Sequence, residues 1–423
     1  MHSIRTCWAL WAILVTLVPS CSASQHGRFH ASLHHRRSGD VDDVSASPTQ
    51  DIFAAQYETY INPEKGEKAE DHSKLEAPHG SELTSYRVNP HGDEEVAAYI
   101  SKDLNKATLE HLFIVVHGKM RDGDNYWKTA NNVVDHARRK DTEASQREMA
   151  VLAVQFFSKK YNSGQYSDQH LAWADLNAWQ PGAQATHPNG TTLTSFDVLD
   201  GLIDNHADRN EFPRLKNITV VGHGGGGQLV QRYAAVGKDP PSHIHVRYIH
   251  GDASSCAYFT KDRPILKGVD ASKDTCKYYN TWRYGFDEFY GVGGVIKSPE
   301  EYFKQYLTRD VVSLVGYADT AGGGDKSCMA TLQGGRDRRD RNLIWYRYIN
   351  TLARTDVDVS GFPGDFEELP DWSYLVDGKS HLRLVVVKNA SHSMEELFET
   401  EVGRAALFHD HDIDQGWRPE KSK

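Results

Sequence analysis

The segment Val220-Val-Gly-His-Gly-Gly-Gly-Gly-Gln228 runs from an apolar, β-rich stretch straight into glycines, and a helical pattern begins at Gln228. A buried strand that turns into a helix within a few residues needs a bend free of bulky side chains. Such a join belongs to a layered sheet with helices packed on it. The rest of the chain repeats the alternation. Near-continuous apolar runs at 112–116, 150–154, 218–221, 246–249, 311–315 and 382–387 read as strands buried on both faces of a parallel sheet. Helical patterns at 196–203, 228–236, 300–307, 343–352 and 395–408 accompany them. From about Ser81 onward the chain is expected to form one α/β domain, with a mostly parallel central sheet and helices on both faces. Chemistry in such sheets sits at the carboxyl ends of the strands.

The stretch 256–302 breaks this rhythm. It is rich in aromatic residues, among them Tyr278, Tyr279, Trp282, Tyr284 and Tyr290, and has no clear period. It reads as an insertion over the strand ends, a cap, or equally as a loop packed on its own aromatics. As a cap it would give an apolar or aryl-lined cleft.

Two motifs compete for the glycine turn. The dinucleotide fingerprint G-x-G-x-x-G is met by Gly222, Gly224 and Gly227, with Asp252 beyond the next strand as the ribose-binding acid. The nucleophile elbow G-x-S-x-G is met in frame by Gly222-His223-Gly224-Gly225-Gly226, except that Gly224 stands where the serine belongs. Context favours the elbow. Val115-Val-His-Gly118 ends an earlier strand in a His-Gly turn of the kind that supplies an oxyanion-hole N–H. Asp319 lies just past a later strand and His392 just past the last. Elbow, acid, histidine is the chain order of an α/β-hydrolase triad. The dinucleotide reading explains neither Asp319 nor His392.

These residues resemble secreted serine hydrolases of the α/β-hydrolase superfamily, of the kind with an HG…R…Y loop and a GHSAGGQ elbow. The resemblance runs from about Leu112 to Phe408. It takes in His117-Gly118 with Arg121 and Tyr126, Gln155-Phe-Phe157, Trp173, Trp179-Gln-Pro-Gly182 and Gly222 to Gln228. It continues through Gln231-Arg-Tyr-Ala234, Ser254-Ser255, Tyr279-Asn280, Tyr284-Gly285, Asp319-Thr320, Leu332-Gln-Gly334, Arg336, Arg339 and His392. It implies the α/β-hydrolase fold, Asp319 as triad acid and His392 as triad base. It also implies an oxyanion hole from the N–H of Gly225 and one from the Gly118-Lys119 turn.

The chain departs from that pattern at the residue that matters most. Gly224 offers no hydroxyl for His392 to deprotonate, and losing a triad serine costs about 10⁶ in turnover, roughly 8 kcal/mol of barrier. A second departure puts Asp252-Ala-Ser-Ser-Cys256 where the pattern has Asn-Pro-Ser-Ser-Tyr. Ser254, Ser255 and Cys256 follow a different strand, so a replacement nucleophile there needs unfavourable geometry. His223 beside the elbow is expected to pack rather than act.

At the N-terminus, His2 and Arg5 precede an apolar run over 8–18, followed by the small residues Ser20, Ser22, Ala23 and Ser24. This is the pattern of a signal peptide cleaved near Ala23 or Ser24, and it implies secretion. The expected organisation is a signal peptide at 1–24, a polar leader at 25–80 and the catalytic-type domain at 81–423. The leader carries His26, His30, His34 and His35 without metal-site spacing, and a dibasic Arg36-Arg37. Of five cysteines, Cys256, Cys276 and Cys328 remain after cleavage, and sequence alone does not choose a pair. The resemblance points to a Cys276–Cys328 bridge, with Cys256 buried and unpaired. Asn189, Asn217 and Asn389 open glycosylation triplets, the last beside His392.

Hydrophobic residues at 39% supply a real core. A net charge of −10 argues against nucleic acid as a partner, and no second long apolar run indicates a membrane span. No metal or nucleotide cofactor has a supporting motif. The function read from sequence is an esterase-like scaffold disarmed at Gly224, with a small-molecule, lipid or ester ligand. The alternatives are an active carboxylic-ester hydrolase, through a sequence variant or an activated water, and a secreted small-ligand binding protein.

Overall fold

A computed structural model describes residues 74–140, 147–174, 177–269, 271–408 and 418–419. The expected signal peptide, the leader histidines and Arg36-Arg37 lie outside the described residues. All six strands expected from sequence are present. They are β3 (His111–Val116), β4 (Met149–Gln155), β7 (Asn217–His223), β8 (His245–Gly251), β9 (Asp310–Gly316) and β10 (Arg383–Val387). Two more precede them, β1 (Ser81–Arg87) and β2 (Glu95–Ser101), and a short pair, β5 (Phe157–Ser158) and β6 (Ala172–Trp173), stands apart.

The main sheet runs β1-β2-β4-β3-β7-β8-β9-β10. From β4 to β10 every pairing is parallel, while β1 and β2 are antiparallel additions at one edge. The parallel strands are apolar throughout because both faces are covered. Along β3, Leu112, Ile114 and Val116 enter one core and Phe113 and Val115 the other. β1, at the edge, is mostly exposed or half-buried, so its sequence carries no apolar run.

The first core is covered by α2 (Ser195–His206), α3 (Gly225–Val236), α4 (Pro299–Thr308) and α6 (Arg338–Leu352). Thr194 with Asp197 and Ser298 with Glu301 form capping boxes that start α2 and α4. The second core is covered by α1 (Gly123–Lys140) and α8 (Glu401–Phe408), with α7 (Met394–Phe398) beside them. α1 buries Trp127, Ala130, Val133, Val134 and Ala137, a stripe at helical spacing. The helix expected over 395–408 is two helices. The Thr400 hydroxyl donates to the Leu397 carbonyl and accepts from the Gly403 N–H, which ends one and starts the next.

The insertion 256–302 is bolted down rather than draped. Cys276 is bonded to Cys328, at the start of the short helix α5 (Cys328–Thr331), and Cys256 is buried and free. Trp282 packs on Phe289 with centroids 4.0 Å apart, and Phe286 stacks on Tyr302 at 5.3 Å. The Arg263 guanidinium lies 4.4 Å over the Tyr258 ring. Asn189 and Asn389 are exposed and Asn217 is half-buried at the start of β7. Among the described residues no helix is long and apolar enough to cross a membrane.

Candidate active site

Gly224 joins β7 to α3 with φ 59° and ψ −111°, a left-handed geometry that a residue with a side chain adopts only under strain. The flanking glycines are dictated by backbone contact. A Cβ on Gly222 would stand 2.2 Å from the Gly226 carbonyl oxygen, and one on Gly226 would stand 2.2 Å from that of Val116. The Gly224 N–H donates to the Gly251 carbonyl at 2.9 Å, which ties the bend to the end of β8. A glycine run built this way serves a sharp turn between packed strands.

The loop after β3 closes over this turn. His117 is fully buried: its Nδ1–H donates to the Gly118 carbonyl at 2.8 Å and its Nε2 accepts from the Phe156 N–H at 3.1 Å. Arg121, also fully buried, donates to the Lys119 carbonyl at 3.0 Å. Gln155 donates to the Arg121 carbonyl at 2.8 Å. These contacts hold the backbone N of Lys119 3.1 Å from the position of a Cβ on Gly225. Gly225 is the first residue of α3, so its N–H has no acceptor within the helix. The backbone N of Lys119 therefore lies close to Gly225, the residue after Gly224. Behind them Gln228 donates to Gln180 at 3.2 Å, and Ser255 donates to Gln228 at 2.8 Å while accepting from Arg232 at 3.0 Å.

Asp319 and His392 come together from the loops after β9 and β10. His392 Nδ1 is 3.0 Å from Asp319 Oδ2. Arg338, at the start of α6, donates to both oxygens of Asp319, at 2.8 and 2.6 Å. Burial alone would raise the Asp319 pKa, but the hydrogen bonds from His392 and Arg338 outweigh it and hold it down at about 2. The carboxylate stays ionised. The far side of the imidazole faces Gly224, with Nε2 3.0 Å from where a Cβ there would stand.

Arg338 was not legible in the sequence, whereas the neighbouring arginines were matched. Arg336 is exposed, and Arg339 pairs with Asp340 and lies over the Tyr317 ring. His223 is buried against His392, ring centroids 4.4 Å apart, as a packing residue would be. Burial lowers its pKa. Asp252 is fully buried behind the two imidazoles, 3.5 Å from His223 Nε2 and 4.0 Å from His392 Nδ1. Its Oδ1 accepts from the Gly316 N–H at 2.8 Å. The expected ribose-binding role is corrected by this burial: the carboxylate faces inward and no ribose can reach it.

A cavity of about 500 Å³ opens over Gly224. Its lining includes Lys119, Asp122, Asn125, Gln180, Arg338 and Glu395, with Met120 and Met394 as apolar members. None of the insertion aromatics takes part. The aryl-lined cleft expected from composition is therefore corrected: Trp282 and Tyr284 are buried under the insertion, and Tyr278 and Tyr290 are exposed. Ser254 reaches the cavity wall, but no hydrogen bond joins its hydroxyl to His392 among the described residues. Ser255 is committed to Gln228 and Arg232.

No family model and no curated protein matches this sequence. Solved structures do. Poly(aspartic acid) hydrolase-1 from Sphingomonas sp. KT-1 matches with a TM-score of 0.51 at 15% identity, over 79% of this chain and 100% of the other. The poly(3-hydroxybutyrate) depolymerase of Bordetella parapertussis matches with a TM-score of 0.50 at 15% identity, over 82% of this chain and 96% of the other. The chain has the α/β-hydrolase fold. On this α/β-hydrolase scaffold Gly224, Asp319 and His392 occupy the strand ends that the sequence motifs pointed to, after β7, β9 and β10.

Proposed function

We propose that this chain is a secreted α/β-hydrolase-fold protein in which the acyl-transfer site is assembled but has no nucleophile, so that it holds an acyl ligand and does not turn it over. The observation that carries the reading is Gly224 at the tip of the elbow, with no hydroxyl to offer His392, whose Nε2 lies 3.0 Å from where a Cβ on Gly224 would stand. In this reading Asp319 fixes the imidazole of His392, and Arg338 keeps Asp319 ionised. The N–H groups of Gly225 and Lys119 receive a carbonyl or carboxylate oxygen. Without an Oγ no acyl-enzyme forms, and the remaining groups bind and polarise only.

The lining of the cavity is mostly apolar and also carries the charged and amide groups of Lys119, Asp122, Asn125, Gln180, Arg338 and Glu395, which suits an acyl compound with both apolar and polar parts. The two matched structures are named as a poly(aspartic acid) hydrolase and a poly(3-hydroxybutyrate) depolymerase, both acting on chains of repeated acyl units, which agrees with an acyl ligand. Secretion is supported by the N-terminal sequence pattern and agrees with a disulfide in the domain.

The test is to give the mature chain short oligomers of such acyl units and a serine-directed phosphonate. The reading expects saturable binding by calorimetry, no turnover above the buffer rate and no phosphonate adduct by mass spectrometry. Steady hydrolysis by the native chain, lost on His392→Ala, would instead establish a water-activating enzyme.

A further inference from the structure

Asp252 poses an electrostatic problem that the acyl-transfer site does not solve. It is fully buried, and its Oδ2 has no hydrogen-bond partner. No Lys or Arg of the described residues pairs with it; its ion-pair neighbours are the two imidazoles, at 3.5 and 4.0 Å. A buried carboxylate is costly unless a cation or donors compensate it. On the facing side, His223 Nε2 is also buried and without a hydrogen bond. Two orphaned polar atoms, one a carboxylate oxygen and one an imidazole nitrogen, thus point into the same space.

We propose that His223, Asp252 and His392 bind a divalent transition-metal ion of the zinc class. One donor atom from each residue lies within 4.8 Å of the other two. Zinc bonds to imidazole nitrogen and carboxylate oxygen are about 2.0–2.2 Å, so two ligands on one four-coordinate ion stand roughly 3.3–3.6 Å apart. Closing the site takes a contraction of about 1.2–1.5 Å at its widest pair. His392 makes it by leaving Asp319, which its Nδ1 meets at 3.0 Å; its side chain is one-third exposed, and Gly224 presents no side chain against it. Two nitrogens and one oxygen suit zinc or cobalt better than calcium or magnesium, which prefer all-oxygen sites. The remaining atoms are anchored as a metal site requires. The second nitrogen of His223 meets the Tyr126 hydroxyl at 3.3 Å, and the second oxygen of Asp252 accepts from the Gly316 N–H at 2.8 Å. Three protein ligands leave a coordination position open toward the Gly224 cavity.

Coordination through His392 Nδ1 displaces the proton that the imidazole shares with Asp319, and it releases that proton to solvent. The metal and the Asp319–His392 hydrogen bond then exclude one another. This inference does not depend on the ligand-binding reading above, because metal uptake is measured without substrate or turnover.

The experiment uses the full mature chain, metal-stripped, titrated with Zn²⁺ by calorimetry and with Co²⁺ by visible absorption. The expected result is one equivalent bound, with the intense d–d bands of a four-coordinate nitrogen and oxygen site. Asp252→Asn keeps the shape and removes the charge; it should weaken binding by at least about 100-fold, more than an outer-sphere change costs. The histidines of the leader are untouched by this variant, so metal held there keeps its affinity. Equal affinity in the wild type and Asp252→Asn overturns the proposal, as does absence of the d–d bands from the wild type. Should Asp252→Asn fail to fold, His223→Gln takes its place. X-ray absorption at the zinc edge of a chain carrying His26→Ala, His30→Ala, His34→Ala and His35→Ala then decides: two imidazoles in the coordination shell support the site, and fewer than two refute it.

Discussion

His392 Nε2 stands 3.0 Å from the place that a Cβ on Gly224 would take, closer than side-chain carbons normally come to a ring nitrogen. The imidazole has settled a few tenths of an ångström into space that a serine would hold. Together with φ 59° at residue 224, this makes glycine the relaxed choice at the elbow. Gly224→Ala is expected to destabilise the domain by about 1–3 kcal/mol, the usual cost of forcing a side chain into such a conformation. Urea unfolding measures it. A variant as stable as the wild type would mean that the backbone relaxes freely and that the bend is not held as described.

Arg338 and Asp319 form a two-bonded ion pair with almost no solvent exposure. Arg338→Met should cost about 3–5 kcal/mol, because Asp319 is left charged and buried. Asp319→Asn added to it should recover much of that loss. A double-mutant cycle reads the coupling directly, and additive effects would show that the two residues do not depend on each other.

Acid should destabilise the fold through buried histidines remote from the site. Burial lowers the pKa of His111 to about 3, of His206 to about 4 and of His250 to about 3. Below about 6.5 the unfolded chain takes up these protons and the folded chain does not. Their contribution is therefore complete above that value and declines as pH falls toward 4, by about 1.4 kcal/mol per pH unit for each. Asp200, raised by burial to about 6, works the other way: its contribution is present at low pH and lost as pH rises through 6. Three groups oppose one, so the urea midpoint should fall between pH 7 and pH 5. A flat profile over that range would contradict the burial of these imidazoles.

The cysteines divide into two chemical classes. The Cys276–Cys328 bond closes a loop of 52 residues in sequence, so Cys276→Ala with Cys328→Ala should destabilise by roughly 2–4 kcal/mol. Burial pushes the Cys256 thiol up to about 12, and it should resist iodoacetamide in the folded protein while reacting in urea. Mass spectrometry of labelled protein distinguishes the three. Labelling of folded Cys256 at the rate of a free thiol would place it at the surface.

The parallel strands were legible because burial on both faces leaves an unbroken apolar run, as in Val151, Leu152, Ala153 and Val154. The order of Gly224, Asp319 and His392 was legible because each lies just past such a run. β1 was not, since the edge strand Ser81–Arg87 has no apolar run to announce it; β2 carries a buried apolar run, Val96 to Ile100, and was missed all the same. α1 was missed despite its stripe from Trp127 to Ala137, because the charged residues between the apolar ones mask it at a coarse reading. The role of Arg338 lay among Arg336, Arg338 and Arg339, and only the orientation of α6 selects it. Asp252 was noticed for the wrong reason: sequence places it past β8, but its position behind two imidazoles needs four strands, β7 to β10, in register.

The central claim is that this site lacks a nucleophile and little else. Gly224→Ser tests it, assayed beside the native chain with short acyl esters and a fluorescent phosphonate. The account predicts that only the variant hydrolyses and labels, that Asp319→Asn or His392→Ala in the variant abolishes both, and that the gain reaches several orders of magnitude, since the nucleophile is worth about 10⁶ in an intact triad. A folded Gly224→Ser protein that neither labels nor hydrolyses any member of the panel would contradict the assignment of Asp319 and His392 as its acid and base.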